Sequence, residues 1–190
     1  MRILAIVGLV LLLMLAGWLY FFTNLLPLGA ADPGAWQHDA GFNTLGDARY
    51  RWTIIYESAS ESQFRGTVRH VTPDRMPILP LLSHDVLVTS GDFADPAKVD
   101  GSVNILLHRF SWHALGAAAP QGSINLLHTV PASRAILAQL YQLRYGDVVL
   151  VSGREILRIE IYDLQAGQSL GYWQDDGCNT LLVTGVQVLR

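Results

Sequence analysis

The chain has 190 residues and a formal net charge of −3, from 13 Lys and Arg against 16 Asp and Glu, and 51% of its residues are hydrophobic. That balance excludes the strongly basic footprint of a bulk nucleic-acid binder. A single cysteine, Cys178, excludes an intramolecular disulfide framework and reads as a small buried thiol.

Residues 3–22 are apolar without a break, the length a helix needs to cross a bilayer. Arg2 precedes the run and no Lys or Arg follows until Arg49, which puts the N-terminus in the cytoplasm and the rest of the chain outside. Trp18, Tyr20, Phe21 and Phe22 gather at its far end, where amphipathic rings favour the headgroup layer. The competing reading is a signal cleaved near Gly29-Ala30-Ala31, which calls for a shorter apolar stretch of about 7 to 15 residues. A retained anchor over residues 1–22 is therefore expected, with a linker over 23–46, where Pro27, Pro33 and scattered glycines interrupt any apolar period. One extracytoplasmic domain should fill 47–190, enough chain to bury about two-thirds of its unfolded surface.

In residues 48–56, Tyr50, Trp52, Ile54 and Tyr56 alternate with Arg49, Arg51 and Thr53, as a half-buried strand requires. Residues 63–71 alternate likewise, and the polar connector 57–62 predicts a hairpin pairing Tyr56 with Phe64 and Trp52 with Val68. Pro73, Pro77 and Pro80 mark a loop before a short strand at 86–89. Strands are expected at 103–113 and 123–129, pairing Trp112 with Ile124 and setting His108 opposite His128. After Pro131, the spacing of Ile136, Leu137, Leu140, Tyr141 and Leu143 predicts a helix. Strands at 146–152 and 154–162, joined at Gly153 by a tight turn or bent there at a bulge, a loop through Gly167 and a last strand over 180–189 complete the domain.

About eight short strands and one helix make the fold α+β and mainly β, a transmembrane helix followed by a twisted sheet or small barrel packed with one helix. The segment Gly146-Asp-Val-Val-Leu-Val-Ser-Gly153 resembles the strand that follows the helix in oligonucleotide/oligosaccharide-binding barrels. Residues 60–185 also resemble a family of single-pass membrane-anchored proteins of Gram-negative bacteria with no activity assigned. The likeness rests on four pieces: Ser83-His-Asp-Val-Leu-Val-Thr-Ser-Gly-Asp-Phe-Ala-Asp-Pro96, Ser123-Ile-Asn-Leu-Leu-His-Thr-Val-Pro-Ala132, Gly146 to Gly153, and Trp173-Gln-Asp-Asp-Gly-Cys178. It implies an envelope address, one β-rich domain and no reaction, and with the orientation of the apolar run the expected location is the inner membrane with the domain in the periplasm. In the family pattern one residue fewer separates the counterparts of Asn125 and His128, and a β-bulge at Leu126 and Leu127 would return both to one face.

Two constellations could carry function. In the expected first hairpin, Arg49, Arg51, Arg65 and Arg69 share an exposed face, and like charges opposed in a sheet call for acidic neighbours or an anionic ligand or partner. The second is the polar pair His108 and His128, with His84 and Asp85 as the nearest additions. There is no H-E-x-x-H, Cys/His cluster, G-x-S-x-G or Walker motif, so neither a metal or cofactor nor a catalytic set is assigned. The sequence thus reads as a non-enzymatic, membrane-anchored binding or accessory module acting on another envelope protein. Its alternatives are a binder of a small anionic ligand or glycan through the arginine face, and a hydrolase built on His84, His108 or His128.

Overall fold

The computed structural model describes residues 12, 14, 32–74, 76, 79–104, 107–175 and 177–189. The expected anchor therefore lies outside the described residues except for Leu12 and Met14, as does the alternative cleavage position. Among the described residues no helix is long and apolar enough to cross a membrane.

The strands are β1 (Gln37–His38), β2 (Thr44–Gly46), β3 (Tyr50–Tyr56), β4 (Ser62–Pro73), β5 (His84–Thr89), β6 (Val99–Asn104), β7 (Arg109–Ala114), β8 (Ile124–Pro131), β9 (Val148–Asp163), β10 (Gln168–Gln174) and β11 (Asn179–Leu189). One helix, α1 (Arg134–Gln142), lies between β8 and β9. The domain is mainly β, as expected. Ser133 caps α1 by accepting from the Ile136 amide, and Leu140 and Ile136 point inward at the helical spacing read from sequence.

β9 organises the sheet because it is long enough to serve two sets of neighbours. Its first half pairs antiparallel with β4 on one edge and β11 on the other, and its second half pairs with β3 and β10. Since β4 also pairs β5, β5 pairs β8, and β8 runs parallel to β11, the order β4-β5-β8-β11-β9 returns to β4 as a closed ring of strands. A one-residue register shift at Leu157 turns β9 over. Val149 and Val151 before it join a cluster with Val86, Leu127, Leu181 and α1, whereas Ile156, Ile159 and Ile161 join a second cluster with Trp52, Leu45 and Leu182. Each such fully buried Leu, Ile or Val contributes about 1.5 to 3 kcal/mol.

Several expectations are corrected here. β3 and β4 do not form a hairpin: both pair with β9, so Arg51 lies across from Tyr162 and Arg65 from Leu150. β7 pairs with β6, not with β8, and His108 stands just before β7 in the turn between them. No turn breaks the chain at Gly153: β9 runs through it, with a register shift against β11 beside it between Val183 and Gly185, and a Cβ there would come within 2.2 Å of the Leu182 carbonyl, an approach only glycine admits. The β5–β8 register is continuous, so no bulge exists at Leu126 and Leu127, and Asn125 and His128 face opposite sides. The loop expected through Gly167 contains β10. The segment from Asp32 onward, expected as linker, is part of the domain: Trp36 and Leu45 are buried in the core, and Asp32 is held by Arg134.

Candidate functional site

The alternation of β5, β8 and β11 produces a row of polar side chains across three neighbouring strands. Asp85 lies directly opposite His128, and His128 is paired in turn with Thr180. Their neighbours Val86, Leu127 and Leu181 point to the other face, into the cluster with α1. All three polar residues are buried, so their hydrogen bonds must be made within the protein.

Asp85 meets this demand with two imidazoles. Its Oδ1 accepts from His128 Nδ1 at 2.7 Å and its Oδ2 from His108 Nδ1 at 3.0 Å. An ionised carboxylate only accepts, so both Nδ1 atoms carry protons and both Nε2 atoms face elsewhere. His108 reaches this position from the β6–β7 turn in a left-handed backbone conformation, φ 50°, which a non-glycine residue adopts at a cost. The hairpin that carries it is pinned by Arg69, whose guanidinium donates to the Phe93 and Val99 carbonyls, and by Trp112 packed edge-on against Phe93. Asp74 Oδ2 lies 3.7 Å from His108 Nδ1.

The opposite side is built by the segment from β10 to β11. The Trp173 indole stands edge-on to His108 and His128, at 5.8 and 5.6 Å between ring centroids, and its Nε1–H donates to Thr180 Oγ1 at 3.1 Å. Thr180 Oγ1 donates to Asp175 Oδ2, and the Cys178 amide donates to Asp175 Oδ1, each at 3.0 Å. The half-buried Cys178 places its thiol 3.7 Å from the His108 carbonyl and in hydrogen-bonding reach of His128. Between these two sides lies a cavity of about 150 Å³, lined chiefly by His108, Arg109, His128, Trp173, Asp175 and Cys178.

Burial opposes the charge on His128, but its hydrogen bonds with Asp85 and Cys178, and the attraction of Asp85 and Asp175, push its pKa up to about 10. His108 is raised chiefly by its hydrogen bond to Asp85. Burial also works against the Asp85 carboxylate, yet the two imidazoles hold it below the usual range. On the other face of β5, His84 has its ring against Tyr141, and burial lowers it to about 4. His84 and Asp85 therefore serve separate environments despite their adjacency.

Among the described residues, two groups could hold a metal: Asp85, His108 and His128, and His128, Asp175 and Cys178, the ligand atoms of each lying within 4.8 Å of one another. They share His128 but use its opposite nitrogens.

The structure brings the predicted pair His108 and His128 together, with rings 5.6 Å apart, by a route other than the expected hairpin. The four arginines are dispersed. Arg49 lies beside Asp163, Arg51 over the Tyr162 ring, Arg65 is exposed on β4, and Arg69 is engaged with backbone carbonyls. Sequence reasoning missed Trp173, Thr180 and Cys178 as partners of the histidines. The one signal for Trp173 and Cys178 was the density of polar and aromatic residues in Trp173-Gln-Asp-Asp-Gly-Cys178, and Thr180 had none. No family model matches the chain, and no curated protein matches it.

Proposed function

We propose that this protein is a membrane-anchored extracytoplasmic binding module, held in the inner membrane by residues 3–22, whose ligand seat is the cavity between His108, His128 and Cys178. The observation that carries this reading is the convergence of mutually oriented His, Asp and Cys side chains, His128 buried and the others half-buried, from separate segments on one cavity, the usual signature of a ligand site. The ring β4-β5-β8-β11-β9, with its helix after the third strand and its parallel contact between the third and fifth, is the strand order of an oligonucleotide/oligosaccharide-binding barrel. In such barrels ligands sit on the second and third strands, between the loop joining strands one and two and the loop joining strands four and five. Here those strands are β5 and β8, carrying Asp85 and His128, and those loops carry Asp74 and the Trp173 to Cys178 segment. Fold likeness alone would not assign a function. The agreement between the cavity and that location adds weight to the reading, and the family resemblance agrees with the envelope address.

The same proposal moves the binding role from the arginine strands to this cavity, and it makes an envelope partner protein the recipient of whatever the module carries. Cys178 reports on occupancy. In native membrane vesicles its alkylation should be at least tenfold slower than in the same full-length chain purified in detergent and dialysed against a chelator. Equal rates in both preparations would refute a loaded cavity.

A further inference from the structure

Two three-residue groups share His128, and their internal distances separate them. In the group of Asp85, His108 and His128, the carboxylate-to-imidazole contacts are 2.7 and 3.0 Å, ordinary lengths for charge-assisted hydrogen bonds. In the other group, His128 Nε2 and Asp175 Oδ2 stand 3.6 Å apart, beyond hydrogen-bond length. With zinc-to-ligand bonds of about 2.0 Å to N or O and 2.3 Å to S, ligand atoms at tetrahedral corners lie roughly 3.3 to 3.6 Å apart. The first group is a hydrogen-bonded brace, whereas in the second the separation of His128 Nε2 from Asp175 Oδ2 matches that of two ligands on one ion, with Cys178 Sγ within 4.8 Å of both.

Resting on the reading of this cavity as the ligand seat, we infer that its occupant is a borderline-soft divalent metal ion, zinc by donor set, held by His128 Nε2, Asp175 Oδ2 and Cys178 Sγ. Two of the three ligands, His128 and Asp175, already have the outer partners that metal sites employ. His128 donates its remaining Nδ1–H to Asp85, the carboxylate–histidine arrangement that fixes the ring. Asp175 Oδ2 receives the Thr180 hydroxyl, itself oriented by the Trp173 indole, and Oδ1 receives the Cys178 amide. A nitrogen, an oxygen and a sulfur ligand suit zinc better than the hard cations, which favour all-oxygen shells. Binding expels the thiol proton and any proton on Nε2 to water, while Nδ1 keeps its proton and donates it in the hydrogen bond to Asp85. Three protein ligands leave the fourth position to the cavity, where His108 and Arg109 line the approach. That is the open arrangement of sites that bind and polarise an exchangeable ligand, and it differs from the four-ligand shell of structural zinc.

The test uses the full-length chain in detergent, stripped with chelator and titrated with Co²⁺ and then Zn²⁺. Co²⁺ should produce the thiolate charge-transfer band and the intense visible bands of a tetrahedral site, and Zn²⁺ should abolish both by displacement. Cys178→Ser should lose the charge-transfer band. Thr180→Val, which leaves all three ligands in place, should weaken Zn²⁺ binding about 10- to 100-fold. Near-ultraviolet circular dichroism of each variant checks that the fold persists, and Zn²⁺ protection of Cys178 from alkylation in the unmutated chain gives a readout independent of any variant. Absence of Co²⁺ binding, or binding whose spectrum lacks the thiolate band, would overturn the metal. If Cys178 is nevertheless protected in native membranes, and protection survives chelator, the cavity holds a different ligand and only the metal assignment falls. If Cys178 is unprotected in membranes as well, both readings fall.

Discussion

Replacing Asp85 with Asn should destabilise the metal-free protein by about 3 to 5 kcal/mol, the usual cost of removing one partner from a buried charge pair. The carboxylate accepts from His128 at 2.7 Å and from His108 at 3.0 Å. An amide offers one acceptor and one donor, so one imidazole N–H would face another N–H with no water to take its place. A second route gives a comparable size. His128 moves from its ordinary 6.5 to about 10 in the fold, and at roughly 1.4 kcal/mol per pH unit this sets an upper bound of about 5 kcal/mol, shared among Asp85, Asp175 and Cys178. The sign follows from the raised value. The stabilisation is complete below pH 6.5, where His128 is charged in both states, and is lost progressively as pH rises towards about 10. Urea unfolding of the chelator-treated full-length chain, followed by near-ultraviolet circular dichroism from pH 6 to 10, measures both quantities. The unmutated chain should lose stability along that range and the Asn variant should be weaker and flatter. A penalty below about 1 kcal/mol, or identical slopes, would refute the argument that the buried pair is charged.

On the acid side, His84 is held neutral by burial, with its pKa lowered from 6.5 to about 4, so stability should fall by up to about 3 kcal/mol as pH drops through that window. His84→Gln should flatten this acid limb in the same unfolding experiment. Gly153→Ala forces a Cβ to within 2.2 Å of the Leu182 carbonyl and should cost about 1 to 3 kcal/mol or more by urea unfolding, whereas Gly116→Ala, which meets nothing within 4 Å, should change stability by less than about 0.5 kcal/mol. Leu12→Arg should cost about 2.5 to 3.5 kcal/mol of insertion free energy near the centre of the proposed anchor, and membrane fractionation should then show loss of retention.

Local periodicity made much of the secondary structure legible. Alternation located β3 and β4, and the spacing of Ile136, Leu140 and Leu143 located α1, because each pattern follows from the geometry of one element. Partner choice was not legible. Alternation says which side of β3 is buried but not that β9 lies beside it, and a strand of 16 residues serving β4, β3, β11 and β10 has no local mark beyond Gly153. β1, β2 and β10 are short or exposed, so their residues read as linker and loop. The site was half visible for the same reason. His108 and His128 stood out as residue types with His84 and Asp85 beside them, and Asp175 stood out only as part of the polar segment Trp173 to Cys178. Their convergence depends on the β5–β8–β11 register and on a left-handed turn at His108, neither of which a sequence pattern specifies.

A metal ion held by His128, Asp175 and Cys178 in the native protein can be counted by elemental analysis. The full-length chain would be isolated from its native membrane without an affinity tag that binds metals, beside Cys178→Ser prepared identically. About one zinc per chain should be found in the first and a small fraction of that in the second. Equal metal content in the two, or none in either, would contradict it.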